Sequence, residues 1–396
     1  MQARQPALDQ RLPQLVIGLP NYDPNILAYR IQNEPNFAYS VTLSSRDDAL
    51  RFAALLNDEL ELIRVSPATE SVTDYIQELR LVGLEKLDGW LPWISEPDLI
   101  PIGRLWNLRV LSFENFDFCH MVDDLFYNML RRLFSQVDDG KIETFYMKQC
   151  RFSFFYHFDV LLFMVNPSML YLDLIYWEYE DEYVFGRPTQ MVTRLRLTSV
   201  EASRGVRTSL SKIAAWLVRV GDKNLLTSLA FTDLPLENVQ VVGAAFKHLG
   251  SSLQELKIGF KYDEQMGPVS EIRKHLDFSL NTSLHSLHLV INGSQELALS
   301  WVPTLLSQLL TEHRTLKKLT FEIPLISKRQ LQNRTWGSLM EMLDYAQLSS
   351  IVWIHRGGLS PAETQHAVLS RFHPTLHPLL RIKIAGAEHG GIDLLV

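Results

Sequence analysis

The residues through which this chain could do metal or nucleophilic chemistry are twelve histidines and two cysteines, Cys119 and Cys150. Zinc sites need ligands at short fixed spacings, and neither a His-Glu-x-x-His run nor a metal-spaced His/Cys cluster occurs. His285 and His288 lie three apart in a strand-like segment, which turns their side chains to opposite faces. A Gly-x-Ser-x-Gly elbow, which would expose a nucleophilic serine, is missing. The pairs Gly357-Gly358 and Gly390-Gly391 lack the residues that flank a phosphate-cradling loop. No catalytic, cofactor-binding or metal-binding residue is therefore assigned, and the chain is not expected to be an enzyme. What remains is chemistry by contact, through charged and aromatic side chains on a surface. The run Glu178-Tyr179-Glu180-Asp181-Glu182-Tyr183 is the densest such feature; it reads as a solvated loop, or as an acidic hook for a basic partner.

Such side chains need a scaffold, and a repeat supplies it. An apolar residue, two others, then apolar, any, apolar recurs along the chain. It appears as IQELRL ending at Leu81, LRVLSF at Phe113, IETFYM at Met147, MLYLDL at Leu174 and VTRLRL at Leu197. It continues as LTSLAF at Phe231, LQELKI at Ile258, LHSLHL at Leu289, LKKLTF at Phe321, LSSIVW at Trp353 and LLRIKI at Ile384. Successive last positions lie 23 to 34 residues apart, with a mean near 30. Strands are expected at Glu78–Val82, Val110–Glu114, Thr144–Lys148, Tyr171–Ile175, Arg194–Thr198, Glu255–Gly259, Ser286–Val290 and Lys318–Glu322. Between them fall helical stretches. In one, Val122, Leu125, Phe126, Met129, Leu130 and Leu133 recur at three and four, which makes a single apolar stripe. Strand, loop, helix, loop, repeated ten or eleven times, gives an α/β solenoid: a parallel sheet on the concave face and helices on the convex face.

This pattern resembles the leucine-rich-repeat superfamily in its longer, helix-backed form, over roughly Tyr39 to Ile384. The family's turn residue, Asn or Cys three after the last strand leucine, is matched by Cys150 and Asn292. The segment from Tyr39 to Leu84 is similar to the entry into the repeats of fungal, mushroom-type F-box proteins, with a strand at Val41–Leu43, a helix at Asp48–Asn57 capped by Ser45, and a strand at Tyr75–Leu81. In that family three helices precede the segment and dock a Skp-type adaptor of a cullin-type ubiquitin ligase. About two dozen residues separate Leu12 from Tyr39, and they include Pro20, Pro24 and Pro35. That is too short and too interrupted for three helices. Residues 1–38 thus read as an N-terminal cap or a degenerate F-box remnant, expected to hold a Skp-type adaptor weakly or not at all, and residues 39–396 as the solenoid.

The resemblance implies a protein partner. It leaves two functions open: a substrate-recognition subunit related to cullin-type ubiquitin ligases, or a repeat scaffold with no ligase role. Strand residues between the inward apolar ones face the concave side, and Arg80, Tyr146, Asp173, Arg196, Lys257, His288 and Lys383 are the expected partner-binding residues. Neither nucleic acid nor membrane is expected as a partner. The net charge is −7, and the greasiest stretch, Phe152 to Trp177, carries His157, Asp159, Asn166, Pro167 and Asp173. Few cysteines, and an opening apolar run too short for a signal peptide, point to the cytoplasm or nucleus. The sequons at Asn281, Asn292 and Asn333 read as chance matches.

Overall fold

The structure, a computed structural model, describes residues 14–15, 39–65, 72–83, 93–95, 102, 105–134, 142–178, 199–203, 207–220, 225–260, 269–291, 301–312, 315–324, 331, 334–344, 346–356, 358–384 and 393–395. It is a mixed α/β chain with parallel sheets, and it divides into two units, Met1–Leu197 and Thr198–Val396.

In the first unit the strands are β1 (Gln14–Leu15), β2 (Tyr39–Leu43), β3 (Ile76–Val82), β4 (Val110–Glu114), β5 (Thr144–Lys148), β6 (Arg151–Phe152), β7 (Met169–Asp173) and β8 (Tyr176–Trp177). β1, β2, β3, β4, β5 and β7 pair in that order, all parallel. β6 and β8 form a second, short parallel ladder. Parallel neighbours need a crossover, and helices α1 (Arg46–Val65), α2 (Asp123–Leu133) and α3 (Phe155–Val165) provide three of them. α1 starts where Ser45 accepts a hydrogen bond from the Asp48 backbone N–H at 3.1 Å, as expected of its cap.

The inward rows are continuous across strands. Val41, Leu79, Leu111, Phe145 and Leu170 stand in register, and so do Leu43, Leu81, Phe113, Met147 and Leu172. All ten are buried. Aromatic rings extend this core beyond the sheet: Phe113 meets Phe145 edge-on at 5.3 Å, and Phe118 stacks on Phe152 at 5.2 Å. The α2 stripe is narrower than its periodicity suggested. Phe126, Met129, Leu130 and Leu133 are buried, whereas Val122 is 63% exposed and Leu125 is also exposed.

The second unit contains β9 (Ser199–Ser203), β10 (Ser228–Leu234), β11 (Glu255–Phe260), β12 (Ser286–Ile291), β13 (Lys318–Ile323), β14 (Ser350–His355), β15 (Leu380–Ile384) and β16 (Asp393–Leu395). β9 to β15 pair parallel in sequence order, and β16 closes the β15 edge antiparallel. The crossovers are α4 (Arg207–Val220), α5 (Val239–Leu249), α6 (Val269–His275), α7 (Trp301–Glu312), α8 (Arg334–Asp344) and α9 (Pro361–Leu369). Asn281 is fully buried, and its amide donates to the Phe246 and Gly250 carbonyls at 3.0 and 2.9 Å, satisfying the end of α5. A glycan on that nitrogen would cost both bonds, so this sequon is structural.

Two backbone devices recur. Ahead of the strands, one carbonyl accepts two successive N–H groups from the next repeat: Gln254 from His285 and Ser286, His285 from Lys317 and Lys318, and Arg109 from Glu143 and Thr144. At or just behind the strand ends, a residue at positive φ re-aims the chain. Asn115, Gln149, Leu174 and Asp233 hold this place at φ 53–57°. Gly83 occupies the corresponding place after β3, where an added Cβ would lie 2.3 Å from the Asn115 carbonyl oxygen. Cys150 sits one residue after Gln149 and is buried, its Sγ 3.4 Å from the Phe113 carbonyl oxygen; burial pushes its thiol up to about 12.

Strand positions differ from expectation in two places. MLYLDL forms β7 as Met169–Asp173, not Tyr171–Ile175, because Leu170 and Leu172 are the inward pair. Residues 194–198 lie outside the described residues, and the strand that pairs with β10 is Ser199–Ser203. No helix among the described residues is long and apolar enough to cross a membrane.

Candidate functional site

Side chains alternate across a strand, so burying one row of apolar residues presents the other row on the open face. In the first unit the middle open row is Thr42, Arg80, Ser112, Tyr146 and Tyr171. Tyr146 and Tyr171 stack at 4.6 Å, with ring planes 14° apart. The next row is Val82, Glu114, Lys148 and Asp173. The Arg80 guanidinium crosses between rows to Glu114 at 2.5 Å. Asp173 thus faces outward as expected, but beside Lys148; Tyr171 takes the place next to Tyr146.

In the second unit the middle open row is Ala230, Lys257, His288, Thr320, Val352 and Arg381. Lys383 falls in the following row, in register with Ile354 and, across the antiparallel pair, with Asp393. Arg196 lies outside the described residues. At the register position opposite Ala230, β9 carries Glu201.

Glu322 is the centre of this face. Its side chain is only 3% exposed, and three cationic or protonatable groups converge on it. His288 Nε2 lies 2.7 Å from Oε2, Lys257 Nζ lies 3.8 Å from the same oxygen, and the Arg356 guanidinium pairs with Oε1. Burial acts to raise the Glu322 pKa, but the His288 hydrogen bond and the charges of Lys257, His288 and Arg356 outweigh it and hold the carboxyl below the usual glutamate range. Its proton therefore binds later in the native chain than in the unfolded one. The resulting stabilisation is complete above the ordinary value of 4.5 and is lost as pH falls through the lower native value. Glu322→Gln is expected to flatten the loss of urea stability between about pH 6 and 3 relative to the parent chain; parallel pH profiles for the two would refute the assignment.

A second cluster lies on the helix side of the first unit. The fully buried His157 ring sits 4.4 Å from Phe126 and reaches Asp123 Oδ1 with Nε2 at 3.1 Å; Tyr156 also bonds to this carboxylate. Burial lowers the His157 pKa, with Asp123 opposing. The buried ring ties α3 to the start of α2, a structural role. Among the described residues no group of three or more His, Cys, Asp or Glu side chains gathers as a metal site. Of the acidic run, only Glu178 is a described residue.

Sequence reasoning missed Glu114, Tyr171, Glu322 and Arg356. Glu114 and Glu322 share one repeat position, immediately after the last inward residue, Phe113 or Phe321. A template that stopped at that inward residue excluded both. Compared with known proteins, the chain matches no protein-family model and no curated protein.

Proposed function

We propose that this chain is a leucine-rich-repeat solenoid that binds another protein on the open face of its strands. The observation that carries the reading is the register itself. In each unit successive strands stack their apolar residues on one face; the opposite face carries the tyrosine pair at 4.6 Å and the Arg80–Glu114 pair in the first unit, and the Glu322 ion cluster in the second. Curved repeat sheets commonly bind through this face, and rigid aromatics flanked by charge are typical anchors of protein interfaces.

Of the two roles, a scaffold without an adaptor is favoured by one contact. Leu15 lies within residues 1–38, read from the sequence as a cap or F-box remnant, and it belongs to a strand, with Gln14 and Leu15 in register with Ser40 and Val41. A segment that adds a strand to a sheet edge acts as a cap. A ligase-linked substrate receptor would need an adaptor-docking element elsewhere.

Photo-crosslinking residues placed at Lys148 or Lys318, both exposed on strands, are expected to yield discrete protein adducts in cells. The same probe at Arg131 or Glu341, exposed on helices α2 and α8, is expected to yield none. Adducts from the helix positions alone would overturn the reading. Purified chain is expected to form no saturable complex with a Skp-type adaptor; a sub-micromolar complex lost on deleting residues 1–38 would restore the ligase role.

A further inference from the structure

The chain as a whole carries a net charge of −7, but one part of the second unit's open face is charged the other way. From β11 to β15 it presents Lys257, His288, Lys318, Arg356 and Arg381, set against the single buried carboxylate of Glu322. One exposed acidic residue, Glu255, lies on β11 itself, at the edge of this part, in register with Ser228 and Ser286. Lys383 lies in the row after that of Arg381, in register with Ile354.

We propose that this part of the face binds an acidic peptide segment, rich in Asp or Glu, lying across strands β11 to β15. The inference rests on the protein-binding reading above and names the class of partner. Strands lie ~4.8 Å apart, so four spacings span roughly 19 Å, about the length of six extended residues. Glu322 orients the site. By ion-pairing with His288, Lys257 and Arg356 at once it holds three long or ring side chains on one side of the sheet, lowering the entropy lost when a ligand fixes them. The Arg356 side chain remains 54% exposed, so a carboxylate can approach it from solvent. Lys318 and Arg381 are exposed on the neighbouring strands.

A nucleic acid fits this surface less well. A polyphosphate backbone needs a continuous basic track. Here the cations are interrupted by the apolar Val352 and half-buried Ile354, and end against Glu255. Mixed apolar and carboxylate side chains match that pattern, and a phosphate chain does not.

The test uses the full chain and a fluorescent twelve-residue probe in which Glu alternates with Ser, followed by anisotropy. Saturable binding is expected, weakening about tenfold or more between roughly 50 and 300 mM NaCl. The Gln-for-Glu probe is expected to show no binding. The double variant Lys318→Gln/Arg381→Gln is expected to lose about tenfold in affinity with an unchanged melting curve, because both residues are exposed. Equal binding of the two probes, an unaffected double variant, or tighter binding of a twelve-nucleotide single strand would overturn the proposal. Should the peptide fail while the Lys318 crosslink persists, the acidic class is wrong and the protein-binding reading stands; loss of both would end both.

Discussion

Gly243→Ala is expected to destabilise the second unit by about 2–3 kcal/mol, although alanine is the better helix former by roughly 1 kcal/mol. Gly243 lies in α5, where an added Cβ would fall 2.1 Å from the His275 carbonyl oxygen and 3.0 Å from its carbon. Both are backbone atoms at the end of α6, so no side chain can swing aside; the helices must separate and open the core between them. Gly337, in α8, is the control. Nothing lies within 4 Å of its Cβ position, so Gly337→Ala is expected to gain up to about 1 kcal/mol. For a unit of this size that corresponds to a fall of roughly 5–10 °C in melting temperature for the first variant and a rise of a few degrees for the second. If both variants rise, the close approach of α5 and α6 is wrong.

Leu289→Asp is expected to abolish cooperative folding of the same unit. Leu289 is fully buried on β12, in register with Ile258 and Phe321. The change removes about 1.5–3 kcal/mol of burial and adds several more for an unpaired buried carboxylate, against a total stability of ~5–15 kcal/mol. Its neighbour His288 faces the other way. By alternation alone His288→Ala would be silent, but the 2.7 Å contact with Glu322 makes it cost roughly 1–2 kcal/mol. Lys257 and Arg356 still neutralise the carboxylate, so the unit stays folded. Calorimetry separates the two: no unfolding peak for Leu289→Asp, and a peak a few degrees low for His288→Ala. Indistinguishable melts would refute the inward and outward assignment.

The inward positions were legible because they obey a local rule. Leu284, Leu287 and Leu289, or Leu316, Leu319 and Phe321, repeat one spacing, and all are buried. The rule slipped where its first position is not aliphatic. Pro167 precedes Leu170 and Leu172, and His377 precedes Leu380 and Ile382, so the template slid two residues to the next match. A strand repeats every two residues, so Asp173 and Lys383 kept their face and lost only their row. The charge cluster was not legible in the same way. Glu322 meets His288, one strand away, Lys257, two strands away, and Arg356, just past the next strand, and only the cross-strand register fixes that meeting. Gly243 was likewise silent, since a glycine in a helical pattern does not declare which backbone passes over it.

The reversal at β16 has a consequence for how copies of the molecule meet. A row of strands that all point one way ends on an edge whose unpaired groups would suit another strand of the same direction, and such contacts repeat head to tail without closing. β16 runs against β15 through only three register pairs, Arg381 with Leu395, Ile382 with Leu394 and Lys383 with Asp393. Antiparallel pairing spaces its hydrogen bonds unevenly, unlike the even ladder inside the stack. Among the described residues the outermost strand at that end is short and out of pattern, which disfavours head-to-tail addition of a further parallel strand there.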